Sequence, residues 1–205
     1  MLEALGVTAA RVTLPDDLDD LDALILPGGE TSTMLRLLDA TRLREPLEAF
    51  VKSQPVLGTC AGIILLAAEA SDLPAPTLGV LDISVERNAY GRQIDSFSTE
   101  VAPTVFEGPA PGVFIRAPRI RRVGEGVEVV ARLQAGSRGD DGSPERLAGE
   151  PVGVRAGKAA GLCFHPELTS DLRFHRWFLT QVAGCDLAAA PLHSTRPNAA
   201  REGAA

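Results

Sequence analysis

Cysteine is scarce in this sequence: Cys60, Cys163 and Cys185 are the only three among 205 residues, and they form no CxxC pair. Histidines are equally few, three in all, and widely spaced. Neither a disulfide framework nor a zinc site is indicated, and no metal or other cofactor is expected. A basic excess is missing too, since the net charge is -7, the pI is near 5.0 and the arginines are scattered. Such a surface has little with which to hold a phosphate backbone, which argues against a nucleic-acid partner. No apolar run approaches the roughly 18 to 20 residues that span a bilayer. Nor does a basic segment followed by an apolar one open the chain. No membrane association and a cytoplasmic location are expected.

What is present is apolar material, 45% of the residues, enough for one compact domain with a sizeable core. Short β-type runs alternate with longer helical ones, which favours an α/β fold with helices on the faces of a sheet. "DALIL" (22–26) reads as a buried strand ending at Pro27-Gly28-Gly29, and "TSTMLRLLDA" carries Met34, Leu35, Leu37 and Leu38 at helical spacing. Further helices are predicted over 45–51 and 61–70, with a strand over 55–57 between them. After Pro76 the runs "LDISVERN", "QIDSFSTEVA", "GVFIRAP" and "GVEVVARL" are short, β-rich and bounded by glycine or proline, as in an antiparallel extension. "PVGVRAG" and "AAGLCFHPE" resume the strands, and an amphipathic helix closes the domain over 171–182. Residues 134–150 read as a solvated loop and the tail from Gly184 as disordered, so the domain is expected to span 1–183.

Taken alone, Cys60 is a small buried hydrophobe. Its neighbours change that reading, because Gly58-Thr59-Cys60-Ala61-Gly62 is G-x-C-x-G between a predicted strand and a predicted helix. This is the thiol counterpart of the G-x-S-x-G elbow, whose glycines let strand and helix approach closely. The first N–H groups of the helix point at the thiol and favour the thiolate. A thiolate nucleophile needs a proton carrier, and "FHPEL" offers His165 and Glu167 on one face of an extended chain. There the carboxylate can fix the imidazole tautomer and stabilise the imidazolium.

"PGGETSTM", "GTCAG", "RNAYGRQ", "FIRAP" and "FHPELT" resemble the motifs of class I glutamine amidotransferases. In order and spacing they are most similar to the glutaminase subunits of pyridoxal 5'-phosphate synthase, the PdxT/SNO family. GxCxG with HPE is common to the superfamily, whereas "RNAYGRQ" and "FIRAP" are particular to this branch. The resemblance implies a three-layer, flavodoxin-like fold with a mostly parallel central sheet and an antiparallel extension. It implies Cys60 as nucleophile, His165 as general acid/base and Glu167 as its orienting partner. The backbone N–H groups of Gly29 and Ala61 would form the oxyanion hole. L-glutamine would be bound by Gly29, Glu30 and Thr31, by Arg87, and by Ile115 and Arg116. Among these, Arg116 or Arg87 suits the substrate carboxylate and Glu30 its ammonium.

The implied reaction is hydrolysis of glutamine to glutamate and ammonia through a cysteine thioester, the ammonia passing to a synthase subunit. The family begins with a strand and a turn ahead of its first helix, whereas this chain starts within that helix. Loss of a strand from a parallel sheet is expected to be destabilising. Thr31 also stands where the family has serine, a change that keeps the hydroxyl. Two alternatives remain open on sequence: a truncated, inactive or binding-only homologue, and a cysteine hydrolase or chaperone-like protein of the same broad fold.

Overall fold

The run of strand, glycine turn and helix expected near the N-terminus is realised in the computed structural model, which describes residues 1–87, 89, 96–134 and 148–187. Strand β1 (Leu24–Leu26) leads to helix α1 (Thr31–Ala40), which buries Leu35 and Leu38. Helix α2 (Arg44–Ser53) buries Leu47 and Val51, one turn apart on one face. Strand β2 (Val56–Thr59) then delivers the chain to helix α3 (Ala61–Leu66). All residues of β2 and α3 are buried, which explains their unbroken apolar sequence, since neither has a face turned to water.

The remaining strands are β3 (Ala67–Ala70), β4 (Leu81–Glu86), β5 (Ser96–Pro103), β6 (Ala110–Ile115), β7 (Arg119–Val123), β8 (Glu128–Leu133), β9 (Pro151–Ala156) and β10 (Ala159–Leu162). A short helix α4 (Arg173–Trp177) runs into a π-helical turn over Phe178–Val182. One sheet has the order β1-β2-β10-β9-β8-β5-β6, and a second has β3-β4-β7. In the larger sheet β2 pairs in parallel with β1 and β10, whereas the pairings from β10 through to β6 are antiparallel. The sheet is thus mixed rather than mostly parallel as the resemblance implies, because the strands beyond β10 are joined as antiparallel neighbours and only those around β2 pair in parallel. The fold is α/β.

Two expectations are corrected. The helix predicted over 61–70 stops at Leu66, because Ala67–Ala70 finds backbone partners on β4 in a parallel pair. Alanine's helical preference is too weak to resist that pairing. The charged segment "RIRRV", in which no strand is predicted, forms β7 by pairing antiparallel with β4. Three sequence-based features lie wholly or largely outside the described residues: most of "RNAYGRQ", with residues 88 and 90–93, residues 135–147 of the predicted loop, and residues 188–205 of the tail.

At the other end of the large sheet, β1 pairs only with β2 among the described strands. An open groove is lined by Leu24–Leu26 of β1 and by residues 6–13. No helix among the described residues is long and apolar enough to cross a membrane.

Strand order places β6 four positions from β10, which in a flat sheet would be roughly 19 Å. Yet the N–H of His165, just past the end of β10, donates to the carbonyl of Val113 in β6 at 2.8 Å. The sheet therefore curls, and its far strand closes onto the end of β10. Aromatic packing fills the curl. Phe114 stacks on Phe97 at 4.7 Å and tilts against Phe164, and Phe164 packs edge-on with Phe174 at 5.2 Å.

Candidate active site

Cys60 occupies the junction of β2 and α3 with φ 49° and ψ -105°, a conformation that L-residues other than glycine rarely adopt. Its N–H donates to the carbonyl of Leu162 at 2.9 Å, which ties the elbow to β10. The flanking glycines are required by contact. A Cβ on Gly62 would lie 2.0 Å from the carbonyl oxygen of Leu26, and one on Gly58 would lie 2.5 Å from the carbonyl carbon of Gly62. The turn after β1 and the start of α3 are thus pressed together beside the thiol.

His165 and Glu167 follow β10, and they stand not on an extended chain as expected but at a 3-10 turn over Pro166–Leu168, which His165 precedes and Glu167 occupies; the carboxylate Oε1 lies 2.7 Å from Nδ1 of the imidazole. The Cys60 side chain is close enough to His165 to act on the imidazole. Cys60 first, and Glu167 second, raise the imidazole pKa to about 10, against the opposing effect of burial. Burial pushes the Glu167 carboxyl up, but its hydrogen bond with His165 and the charge there outweigh this, leaving it below its ordinary value. The three sequence-selected groups are therefore brought together, with the imidazole between thiol and carboxylate. Burial pushes the Cys163 thiol well up, with the charge of Cys60 adding to it.

The residues assigned to the oxyanion hole lie on the two abutting turns. Ala61 is the first residue of α3, where the opening N–H groups have no intrahelical acceptor. Gly29 has φ 156°, and the preceding Gly28 packs so closely that an added Cβ would fall 2.2 Å from Cε1 of His165. On the opposite side, the Cys60 thiol lies 3.7 Å from the carbonyl of Ile115. The next residue, Arg116, is a non-glycine at φ 43° with its side chain exposed.

Glu30, Thr31 and Arg87 gather at the start of α1. Glu30 caps that helix, accepting from the N–H groups of Ser32 and Thr33 at 3.0 and 2.6 Å and from the Thr33 hydroxyl at 2.6 Å. The Thr33 hydroxyl, followed by these amides, holds the carboxyl at a pKa of about 2. Arg87 reaches Glu30 at 3.5 Å and donates to the carbonyl of Asp72 at 2.7 Å. Thr31 is buried. Sequence reasoning missed the capping role of Glu30, and it missed Val113, whose carbonyl fixes the backbone of His165. Glu30 followed by Thr33 reverses the usual order of a capping box, so no sequence signature marked the cap, and nothing local marks Val113.

A family model described as the SNO glutamine amidotransferase family matches residues 1–184. The chain belongs to that family. Among SNO-family relatives, a pyridoxal 5'-phosphate synthase subunit PdxT of Thermosipho africanus is 44% identical over 183 residues, covering 89% of this chain and 90% of that protein. The subunit PdxT of Bacillus licheniformis is 42% identical, covering 88% and 86%. A solved structure described as a glutamine amidotransferase matches with TM-score 0.76 and 44% identity over 90% of each chain. A putative GMP synthase component from Thermoplasma acidophilum, at TM-score 0.52 and 16% identity, shares the fold. The SNO assignment and the 0.76 match agree with the class I glutamine amidotransferase architecture expected from the motifs.

Proposed function

We infer that this protein is a glutaminase that hydrolyses L-glutamine to L-glutamate and ammonia, and that the ammonia serves a synthase subunit making pyridoxal 5'-phosphate. One observation carries the chemistry: an imidazole held by Glu167 at 2.7 Å and acting on Cys60, which stands on a strained strand-to-helix elbow. Membership of the SNO glutamine amidotransferase family and the PdxT relatives support the substrate and the partner.

In this scheme the Cys60 thiolate attacks the side-chain amide carbon of glutamine, and the N–H groups of Gly29 and Ala61 receive the oxyanion. The His165 imidazolium gives its proton to the leaving nitrogen, so ammonia departs and a glutamyl thioester remains. His165, now neutral, takes a proton from water as its oxygen attacks the thioester, and glutamate and the Cys60 thiolate are released. Glu167 holds the imidazole tautomer throughout. For the substrate carboxylate the scheme offers two cations, Arg116, exposed beside Ile115 at the thiol, and Arg87, which also meets Glu30 and the carbonyl of Asp72. Gly29, Thr31 and Ile115 complete the binding surface, with Glu30 shaping it from the helix cap.

The discriminating experiment measures glutamate release from glutamine against a panel of esters and peptides, with and without a synthase subunit. Selective glutamine hydrolysis that rises with the synthase supports the reading. Broad hydrolysis without preference for glutamine overturns it.

A further inference from the structure

Two buried polar atoms near the site have no hydrogen-bond partner among the described residues: Oε2 of Glu167 and Nδ1 of His175. Unmatched buried groups of this kind are rare and call for a cause. His175 is only 3% exposed, stands on α4 and has no part in the scheme above.

Glu167 and His175 are close enough for each to feel the other's charge. Burial holds the imidazole of His175 below its ordinary pKa; the charge of Glu167 opposes this, and the Met1 ammonium reinforces it. Among the described residues, Glu167 and the Met1 ammonium are the charged groups that act on it. The ring is thus neutral near pH 7, with one nitrogen bearing a proton.

Helix α4 is held firmly against the site. Arg173 makes a two-point contact with Asp171 and donates to the carbonyls of Glu107 and Pro109 at 2.9 and 2.7 Å. Phe174 packs on Phe164, the neighbour of His165.

We propose that His175 is a positioning residue for Glu167, its Nδ1–H donating through one bridging water to Oε2, so that both carboxylate oxygens are held while Oε1 meets His165. A carboxylate can only accept, and a water joins two groups that do not bond directly, taking the Nδ1–H on one side and donating to Oε2 on the other. The inference rests on the glutaminase reading of Cys60, His165 and Glu167. Its consequence is that loosening Glu167 weakens support for the His165 imidazolium, and with it the pairing that keeps the Cys60 thiol reactive.

The test uses the full chain. His175→Phe keeps a ring of similar size without the donor, and His175→Asn places an amide donor near the position of Nδ1. In His175→Phe, kcat for glutamine should fall about tenfold with KM nearly unchanged. The pH profile of Cys60 alkylation by iodoacetamide should move upward, and His175→Asn should restore both. A His175→Phe variant equal to wild type in both, or a folded His175→Asn variant as impaired as His175→Phe, overturns the proposal. If His175→Phe does not fold, ring 15N chemical shifts of the wild-type protein decide: the Nδ1–H tautomer of His175 supports the proposal and the Nε2–H tautomer overturns it. Absence of glutamine hydrolysis in the wild type with a synthase subunit present would sink the glutaminase reading instead, while alkylation and tautomer still judge His175.

Discussion

Cys60 sits at φ 49° because β2 and α3 meet too closely for any other path, and that strain turns its thiol toward His165. Replacing Cys60 with alanine removes the nucleophile and should lower kcat for glutamine by about 10⁴-fold or more, as should His165→Asn. Glu167→Gln should cost less, roughly ten- to a hundredfold, because nucleophile and base remain. Its pH profile should change as well. In the native protein the imidazole pKa is raised above its ordinary value, by Cys60 first and by Glu167 second. Without the carboxylate's charge the imidazole loses its proton at lower pH, so the alkaline limb of kcat/KM should move down; an unmoved limb would show that Glu167 does not support the charge. A glutamine-analogue electrophile should label Cys60 first, since Cys163 is fully buried with its thiol held in the protonated form. Peptide mapping that finds Cys163 or Cys185 labelled ahead of Cys60 contradicts the choice of nucleophile. Gly28→Ala places a methyl group into the His165 ring, and displacement of the imidazole by about 1 Å should lower kcat/KM roughly 100-fold.

Among the elements, the cap of α1 carries a separate expectation. Glu30 has its pKa lowered from 4.5 to about 2 by the hydrogen bonds it accepts. Its contribution to stability is therefore present above pH 4.5 and is lost as pH falls through about 2. Thermal unfolding of Glu30→Gln should show a lower Tm than wild type at about pH 6, the gap narrowing as both are acidified; a gap that persists unchanged at low pH contradicts the cap. Helices α1 and α2 were legible because their apolar residues recur on one face, and β2 because an unbroken apolar run ends at G-x-C-x-G. The end of α3 was not. "LLAAEA" continues the helical composition without a breaker, and only the pairing of Ala67–Ala70 with β4, a partner remote in sequence, turns it into a strand. Charged "RIRRV" misled in the opposite sense, since its arginines make ion pairs with Glu86, Asp82 and Glu69 along the small sheet.

Across the whole molecule, the three chemical groups were legible from two short motifs, but the curl that joins them to β6 was not. Strand order alone separates β6 from β10, and only the contacts of Val113 with His165 and of Ile115 with Cys60 reveal that the sheet's far strand returns to the site. The same contacts explain why "FIRAP" matters: Ile115 and Arg116 turn at the thiol itself. No periodicity in β6 signals its destination, because its alternating burial is what any strand with one covered face would show. The reading of the site as a glutaminase rests finally on one covalent event at Cys60. The most direct measurement is rapid acid quenching of the protein during turnover with isotopically labelled glutamine and a synthase subunit, followed by peptide mass spectrometry. The predicted result is a labelled glutamyl group on the peptide bearing Cys60, absent in Cys60→Ala, with glutamate and ammonia released in equal amounts. Turnover that persists in Cys60→Ala, or a glutamyl adduct carried on another residue, would contradict it.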